Sequence, residues 1–310
     1  MPDMKAVRIH AYGDPKVLKY EEAPRPTPQD GEILLRVHAA GVNPVDWKIR
    51  EGYLKDAFPA QFPLILGFDV AGTVEAVGAG VTEFAPGDAV YADVRSGGYA
   101  EYVAFPAQHA ARKPQALDFV QAASLPVAAL TAWQALFDHA HLEAGQTVLI
   151  HAASGGVGHL AVQFAKDKGA HVIATASARN HEFVKGLGAD ELIDYNTTKF
   201  ETVAHDVDVV LDTIGGDTQE RSWGVLKPGG ILVSIVDPDT EKHAQAHGRR
   251  GVIFQAEDSG AQLAQIAGMA DAGKLKPYVE RVFPLSEARQ AHETSQGGHV
   301  RGKLVLQVAS

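Results

Sequence analysis

The sequence predicts an α/β fold in which a doubly wound parallel sheet accompanies a second, mostly-β domain. Strand-like and helix-like segments alternate between residues 147 and 236, which is typical of right-handed β-α-β crossovers. Residues 1–120 show short strands separated by proline and glycine turns, which is typical of a β domain. A length of 310 residues suggests about two domains and allows a sizeable core.

Short apolar runs predict the strands of the mostly-β domain. They lie at 5–9, 33–39, 70–77 and 89–91, and a further strand follows a glycine bend at 97–98. Residues 44–53 predict a short helix that is closed by Gly52. Residues 278–310 alternate in the same way and end in a strand at 303–308, so we assign them to this domain.

From residue 119 to 136 the pattern becomes helical, and the second domain is predicted to begin within this segment. Its strands are expected at 147–150, 171–175, 191–194, 207–212 and 230–236, with helices between them, one of which ends near 227–230. The predicted domains are therefore 1–121 together with 275–310, and 122–274.

A glycine-rich turn follows the first strand of the second domain. It reads Ala153-Ser154-Gly155-Gly156-Val157-Gly158, and apolar residues then recur at helical spacing. In this context Gly155 admits a pyrophosphate, Gly158 lets the helix pack closely, and the helix N-terminus offers N–H donors. We therefore predict that Ser154, Gly155, Gly156 and Val157 bind a dinucleotide. The alternative is a plain strand-to-helix turn.

The composition excludes several classes of function. The formal net charge of −10 argues against nucleic acid or an anionic membrane as the main partner. No segment approaches the roughly 18 apolar residues of a membrane span, and the first residues show no secretory signal. The absence of cysteine excludes disulfides, thiolate metal sites and a cysteine nucleophile. We expect a cytoplasmic protein.

Six stretches carry a resemblance to a known family: residues 41–52, 67–72, 74–80, 87–88, 152–158 and 212–215. The chain resembles the medium-chain dehydrogenase/reductase superfamily, in its zinc-free quinone and enone oxidoreductase branch (zeta-crystallin-like). The resemblance implies a GroES-like catalytic domain split across both ends of the chain, a Rossmann-like cofactor domain, and an active site in the cleft between them. It also implies a homodimer, formed through sheet edges of the cofactor domain.

The resemblance predicts a metal-free site. Zinc-using relatives carry a cysteine where this chain has Asn43 and a histidine where it has Phe68, and neither replacement suits zinc. His243 and His247 are four residues apart, but no glutamate follows His243 and the segment is predicted to be an exposed loop. Without a Lewis acid an alcohol is hard to oxidise, whereas an activated C=C bond or a quinone can accept hydride.

The end of the second strand of the cofactor domain favours NADPH over NADH. An NAD-preferring site usually has a carboxylate there, about 20 residues beyond the glycine motif. In this chain Ser177 can donate a hydrogen bond and Arg179 can pair with a 2′-phosphate instead. By resemblance, Tyr195 helps to enclose that phosphate. Alternatively, Ser177 is a helix N-cap and Arg179 a solvated charge.

The remaining site residues follow mainly from the resemblance. It implies catalytic candidates that bond the substrate, the ribose or a developing oxyanion, namely Asn43, Asp46, Lys48 and Tyr53. It also implies contacts near the nicotinamide by Thr131, Ile214, Val233, Ser234, Ile235 and Phe254. The alternatives are a solvated helix face for Lys48 and Asp46, and a half-buried packing aromatic for Tyr53.

We therefore expect an NADPH-dependent oxidoreductase that transfers a hydride to quinones or α,β-unsaturated carbonyls without a metal. An enoyl-thioester reductase and a non-catalytic NADPH-binding protein stay open as alternatives. Turnover of NADPH with a panel of enones, quinones and enoyl thioesters distinguishes the three.

Overall fold

The computed structural model describes residues 3–56 and 59–309 and divides into two compact units. The first unit contains the described residues up to Val127 and from Asp258 onward, and the second is Ala128–Glu257. The strands are β1 (Asp3–Ile9), β2 (Lys19–Pro24), β3 (Glu32–Val42), β4 (Leu64–Ile65), β5 (Asp69–Val77), β6 (Ala89–Asp93), β7 (Tyr102–Pro106), β8 (Ala110–Arg112), β9 (Thr147–Ile150), β10 (His171–Ala176), β11 (Glu191–Asp194), β12 (Val207–Asp212), β13 (Leu226–Ser234), β14 (Arg250–Ile253), β15 (Val279–Pro284) and β16 (Lys303–Gln307). The helices are α1 (Pro44–Arg50), α2 (Phe119–Ala123), α3 (Pro126–Trp133), α4 (Gly158–Lys168), α5 (His181–Gly186), α6 (Gly216–Ser222), α7 (Thr240–Ala246), α8 (Gly260–Asp271) and α9 (Ala288–Gln296). Among the described residues, no helix is long and apolar enough to cross a bilayer.

The first unit is built on two β-sheets. The strand order is β2-β1-β4 in the smaller sheet and β15-β16-β3-β5-β6-β8 in the larger one, where β7 also pairs with β3. Ile33, Leu35 and Val37 of β3 share one hydrophobic cluster with Val70 and Val90. Their spacing of two residues is the period of a strand with one buried face. Because β16 pairs with β3, the end of the chain belongs to the first unit.

The second unit is a six-stranded parallel sheet in the order β11-β10-β9-β12-β13-β14. Its core contains Leu149, Val210, Trp223 and Leu232 from strands and the segments between them. The chain order reverses between β9 and β12, so the carboxyl ends of neighbouring strands meet at one edge, where ligands bind in such sheets. The predicted doubly wound α/β fold is confirmed.

Several boundaries differ from those predicted. Residues 122–127 and 258–274, which we expected in the second domain, lie in the first unit. The cause at α8 is close packing, since a Cβ on Gly260 would lie 2.3 Å from the Ala110 carbonyl oxygen. Residues 227–230 lie inside β13, and the preceding helical segment ends just before them in a 3-10 turn over Trp223–Val225. The last part of the chain also contains α9, although residues 278–310 were predicted to be strand-like.

Two elements near the predicted sheet end were also missed. Strand β14 adds a sixth strand beside β13. Helix α7 occupies the segment around His243 and His247 that was predicted to be a loop. The two histidines bond to different partners, His243 to Gln219 at 3.2 Å and His247 to Glu220 at 3.0 Å. They therefore do not converge on a common ligand.

Candidate active site

The glycine turn joins β9 to α4 and is half-buried from Ser154 to Val157. Ala152 enters it with a φ of 48°, a left-handed conformation that is uncommon for a residue with a Cβ. A Cβ on Gly158 would lie 2.4 Å from the Ala152 carbonyl oxygen, so α4 can approach the strand this closely only with glycine. A Cβ on Gly155 would meet only that same oxygen, at 3.2 Å, and its other sides are open.

Two backbone donors of this turn have no partner among the residues that the structure describes. Gly155 donates its N–H to the Ala152 carbonyl at 2.9 Å, and its own carbonyl accepts from His159 at 3.1 Å. In the described part of the chain, no group accepts a hydrogen bond from the N–H of Gly156 or Val157. Such donors at the start of a helix bind anions, so the turn fits the pyrophosphate of a dinucleotide.

The end of β10 is hydrogen-bonded to this turn. The side-chain nitrogen of Asn180 donates to Ser154 Oγ at 3.1 Å and to Ser177 Oγ at 3.3 Å. Ser177 stands at the N-cap of a 3-10 turn over residues 178–180, but its side chain makes no capping hydrogen bond. Arg179 lies in the same turn and is exposed. The structure therefore brings the predicted Ser154, Ser177 and Arg179 together.

The neighbouring strand adds an acidic group to this edge. Tyr195 follows β11 and is 56% exposed. Asp194 pairs in register with Ala176 of β10. Backbone N–H groups of Asn196 and Ala178 hydrogen-bond to the Asp194 carboxylate and hold its pKa below the usual range. A carboxylate thus borders the end of β10, although none lies on that end itself.

The turn after β12 is fixed by the fully buried Asp212. Its Oδ1 accepts from the N–H groups of Ile214 at 3.0 Å and Gly215 at 2.9 Å. Its Oδ2 accepts from the Ser234 hydroxyl and the Gln219 amide, both at 2.9 Å. The Ser234 hydroxyl is therefore used inside the protein, while Ile214 is left 53% exposed.

The other predicted nicotinamide contacts are spread over three elements. Val233 is fully buried in β13. Ile235 donates its N–H to the Asp212 carbonyl oxygen at 3.2 Å, and Phe254 is half-buried after β14. Thr131 is buried on α3 and belongs to none of the strand ends. We use the term strand-end site for Ser154–Val157, Ser177–Asn180 and Ile214.

In the first unit, Asn43 and Asp46 lie at the start of α1. Asp46 is fully buried and accepts hydrogen bonds from the Asn43 N–H at 2.7 Å, the Tyr99 hydroxyl at 2.9 Å and the Gly67 N–H at 3.2 Å. Burial raises the pKa of Asp46 to about 7, while the bonds from Asn43 and Tyr99 lower it. The solvated-face alternative is wrong for Asp46.

Asn43 is joined to a buried ion pair. Its side-chain nitrogen donates to Asp69 Oδ2 at 2.8 Å, and the Lys303 ammonium donates to the same oxygen at 3.0 Å and also to Asn43 Oδ1. Asp69 Oδ1 accepts from the Val127 N–H at 2.7 Å. Asn43 and Lys303 are each 4% exposed and Asp69 is fully buried. We call Asn43, Asp46, Asp69, Tyr99 and Lys303 the buried acid cluster.

The donor set of this cluster does not fit zinc. Asn43 offers an amide oxygen and Phe68 a phenyl ring, and neither is a suitable zinc ligand. The Lys303 ammonium already satisfies Asn43 and Asp69. Within residues 3–56 and 59–309, no three histidine, cysteine or carboxylate side chains are grouped as metal ligands.

A chain of hydrogen bonds connects Asp46 to Tyr99, His292 and Arg50, and each bond is donated toward Asp46. His292 Nε2 lies 3.3 Å from the Tyr99 hydroxyl oxygen, and His292 Nδ1 lies 3.4 Å from an Arg50 guanidinium nitrogen. A guanidinium only donates, so Nδ1 accepts, Nε2–H donates to Tyr99, and the Tyr99 hydroxyl donates to Asp46. Burial lowers the pKa of His292 to about 3, in keeping with a neutral ring.

The other two predicted catalytic residues lie outside this cluster. Lys48 is half-buried on α1, with its ammonium 5.8 Å from the centre of the Trp47 ring. Tyr53 is 69% exposed rather than half-buried. Its hydroxyl donates to Glu51, which raises the pKa of Tyr53. The first unit therefore does not gather the four predicted catalytic residues into one group.

Several residues that organise the two regions were not predicted from the sequence. Asn180 closes the strand-end site, and Asp69, Tyr99 and Lys303 complete the buried acid cluster. Lys303 carries a detectable signal, because it directly precedes the apolar run 304–306 in β16, where a charge needs a buried partner. The identity of that partner was not visible.

These features define a class of protein, the nicotinamide-dependent oxidoreductases with a Rossmann-like cofactor domain. Residues 29–115 match the family model described as alcohol dehydrogenase GroES-like domain, and residues 187–306 match the one described as zinc-binding dehydrogenase. The chain belongs to the medium-chain dehydrogenase/reductase superfamily, which confirms the resemblance found in the sequence.

Relatives match along nearly the whole chain. The chloroplast envelope quinone oxidoreductase homolog of Arabidopsis thaliana is 35% identical, over 98% of this chain and 98% of that protein. The mitochondrial NAD(P)H oxidoreductase RTN4IP1 of Homo sapiens is 36% identical, over 98% of this chain and 89% of its own. The solved quinone oxidoreductase of Coxiella burnetii superposes with a TM-score of 0.93 at 39% identity, covering 99% of this chain and 100% of that one.

Proposed function

We propose that the protein transfers a hydride from NADPH to a quinone or an α,β-unsaturated carbonyl compound without a metal ion. The observation that carries this proposal is the Lys303 ammonium, which is bonded to both Asn43 and Asp69. A buried cation that is bonded to these two oxygens disfavours a divalent metal beside Asp69. The family model described as zinc-binding matches residues 187–306, a range that includes neither Asn43 nor Asp69.

The substrate class follows from the chemistry of a site without a Lewis acid. Oxidation of an alcohol requires its hydroxyl proton to leave with the hydride, which metal coordination assists. A quinone or an activated C=C bond accepts hydride at an electrophilic carbon and then needs only a proton. NADPH supplies the hydride when it is bound. The names of the Arabidopsis and Coxiella relatives support a quinone as acceptor.

The strand-end site supports NADPH as the preferred cofactor. Ser177 and Arg179 offer a hydroxyl and a guanidinium at the end of β10, where an NAD-preferring site usually has an acid. The Asp194 carboxylate on the neighbouring strand repels a phosphate, but it is already hydrogen-bonded to the backbone N–H groups of Asn196 and Ala178. We propose that Tyr195 covers the same end of the cofactor.

The four proposed catalytic residues fall into two groups. The side chains of Asn43 and Asp46 are engaged in the buried acid cluster, so we propose that they position α1. Lys48 and Tyr53 lie outside the cluster, and we propose them as the groups that donate a proton or stabilise an oxyanion.

The test of the reaction is loss of NADPH absorbance with a panel of quinones, enones and enoyl thioesters. Turnover of quinones or enones is expected, with no NADP⁺ reduction by simple alcohols. Binding of NADPH without turnover of any acceptor contradicts the proposal and favours a non-catalytic role. Turnover of enoyl thioesters alone favours the enoyl-thioester reductase.

The metal-free part of the proposal has its own test. Elemental analysis of the purified protein and the activity after treatment with a chelator are measured together. We expect no stoichiometric zinc and unchanged activity. One tightly held zinc per chain, with activity lost to the chelator, contradicts it.

We further propose a homodimer that forms through the edge of the six-stranded sheet, where β11 and β14 are the outer strands. Sedimentation analysis should then give twice the chain mass of 33.0 kDa. With a net charge of −10, we expect small-molecule substrates and neither nucleic acid nor a membrane as partner. A cytoplasmic location stays a prediction, since relatives include proteins named chloroplastic and mitochondrial.

A further inference from the structure

Asn180 lies between two hydroxyl groups of the strand-end site. Its side-chain nitrogen is 3.1 Å from Ser154 Oγ and 3.3 Å from Ser177 Oγ. An amide nitrogen carries two hydrogens and no acceptor, so these two bonds use both hydrogens. Asn180 is only 6% exposed, whereas both serines are half-buried. One buried amide therefore holds two partly exposed hydroxyls that come from separate segments of the chain.

These bonds determine where the hydroxyl hydrogens point. Because Ser154 Oγ and Ser177 Oγ each accept from Asn180, each hydroxyl hydrogen must be directed to another acceptor. Across the two described ranges, no protein group accepts a hydrogen bond from either hydroxyl. Both hydrogens are therefore available to a ligand on the exposed side of the turn.

We propose that Asn180 is a positioning residue that turns the Ser154 and Ser177 hydroxyls outward, so that both donate to the 2′-phosphate of NADPH. This inference rests on the proposed use of NADPH. An ionised phosphate offers only acceptors, whereas a ribose 2′-hydroxyl is a single neutral group. Two fixed donors beside Arg179 therefore favour the phosphate over the hydroxyl.

The direction of the amide is what distinguishes this arrangement from simple packing. A carboxylate at position 180 has the same shape but only accepts, so the Ser154 and Ser177 hydroxyls would donate inward to it. The site would then present lone pairs and a negative charge to the phosphate. Asn180→Asp should therefore weaken the proposed selectivity more than Asn180→Ala does, while it changes few atoms.

The experiment measures binding rather than turnover. Adenosine 2′,5′-bisphosphate and adenosine 5′-monophosphate are titrated calorimetrically into the full chain, and the ratio of their dissociation constants reports the 2′-phosphate alone. We expect Asn180→Ala, Ser154→Ala and Ser177→Ala each to lower the wild-type preference about tenfold, the effect of one charge-assisted hydrogen bond. Asn180→Asp should lower it about 100-fold.

Two further variants separate positioning from other effects. If Asn180 acts through the hydroxyls, Asn180→Ala should change the ratio no further in a Ser154→Ala/Ser177→Ala background. Gln245→Glu makes the same amide-to-carboxylate change on an exposed residue of α7 and should leave the ratio unchanged.

The outcomes distinguish this inference from the proposed function. A wild type that binds both nucleotides equally overturns the preference for NADPH and this inference with it. A wild type that prefers the bisphosphate, with an unchanged ratio in Asn180→Ala, overturns only the positioning role. If Asn180→Ala does not fold, unchanged ratios in both serine variants overturn it equally.

Discussion

The strand-end site and the buried acid cluster differ in whether their hydrogen-bond donors have acceptors among the described residues. In the strand-end site, the Gly156 and Val157 N–H groups and the serine hydroxyls have no acceptor within the described chain. In the buried acid cluster, Asp46 alone receives three hydrogen bonds, and Lys303 bonds two partners. Donors left unused point to a ligand, whereas donors fully used indicate a scaffold.

The largest expected effect breaks the buried acid cluster. Lys303→Met removes the cation that faces the fully buried Asp69. An uncompensated buried charge costs about 3–5 kcal/mol, so the free energy of unfolding in urea should fall by that amount. Lys303→Met/Asp69→Asn should recover part of the loss, because the charge is removed as well.

The control for this variant is an exposed ion pair in the same unit. Lys5 lies 3.2 Å from Glu22, and both side chains are largely exposed. Lys5→Met should cost less than about 1 kcal/mol. Equal losses for Lys303→Met and Lys5→Met are incompatible with a buried acid cluster that stabilises the fold.

The second test compares two glycines of the same turn. Gly155→Val fills the open side of the turn and should weaken NADPH binding by about 2 kcal/mol or more while the protein stays folded. Gly158→Val instead collides with backbone and should lower the free energy of unfolding by about 1–3 kcal/mol. Titration of NADPH and thermal unfolding are measured for both. Unchanged affinity in Gly155→Val means that the phosphates do not cross this turn.

The third test addresses the guanidinium of the strand-end site. Arg179→Ala should weaken NADPH binding by about 1.5–3 kcal/mol, the strength of a hydrogen bond to a charged group. NADH affinity should change little, because the 2′-phosphate is the only difference between the two cofactors. Dissociation constants of both are compared at fixed salt. Equal weakening of both cofactors identifies Arg179 as a general surface charge.

Per pH unit, the smallest effect is a pH dependence of stability that both units share. Burial lowers the pKa of His151 to about 4 and that of His292 to about 3, against an ordinary 6.5. Below pH 6.5 these two imidazoles bind protons in the unfolded chain but stay neutral in the folded protein. The free energy of unfolding therefore falls as the pH falls toward 4. Each group contributes about 1.4 kcal/mol per pH unit in that window.

The variants for this test are His151→Gln and His292→Gln. Each should reduce the acid slope of the unfolding free energy by about 1.4 kcal/mol per pH unit, and the double variant by about twice that. Above neutral pH each variant should differ from wild type by a constant. A slope that neither substitution changes shows that the two rings are not held neutral in the folded protein.

Local signals allowed the sequence to predict the second unit well. The glycine turn and five of the six strands of its sheet follow from contiguous apolar runs and turn residues. Strand β14 was missed because it has four residues and includes Arg250 and Gly251, which do not form an apolar run. Asp69 and Lys303 are 234 residues apart, so no pattern along the chain reveals that they form a pair.

During synthesis on a ribosome, the two units become able to fold at different times. The second unit is one continuous segment, Ala128–Glu257, and is complete before β15 and β16 are made. In the first unit, residues 39–42 of β3 have no strand partner on one side until β16 pairs with them, and Asp69 has no cation until Lys303 arrives. Unpaired strand edges associate with other chains, so chaperones should protect the first unit of the growing polypeptide for longer than the second.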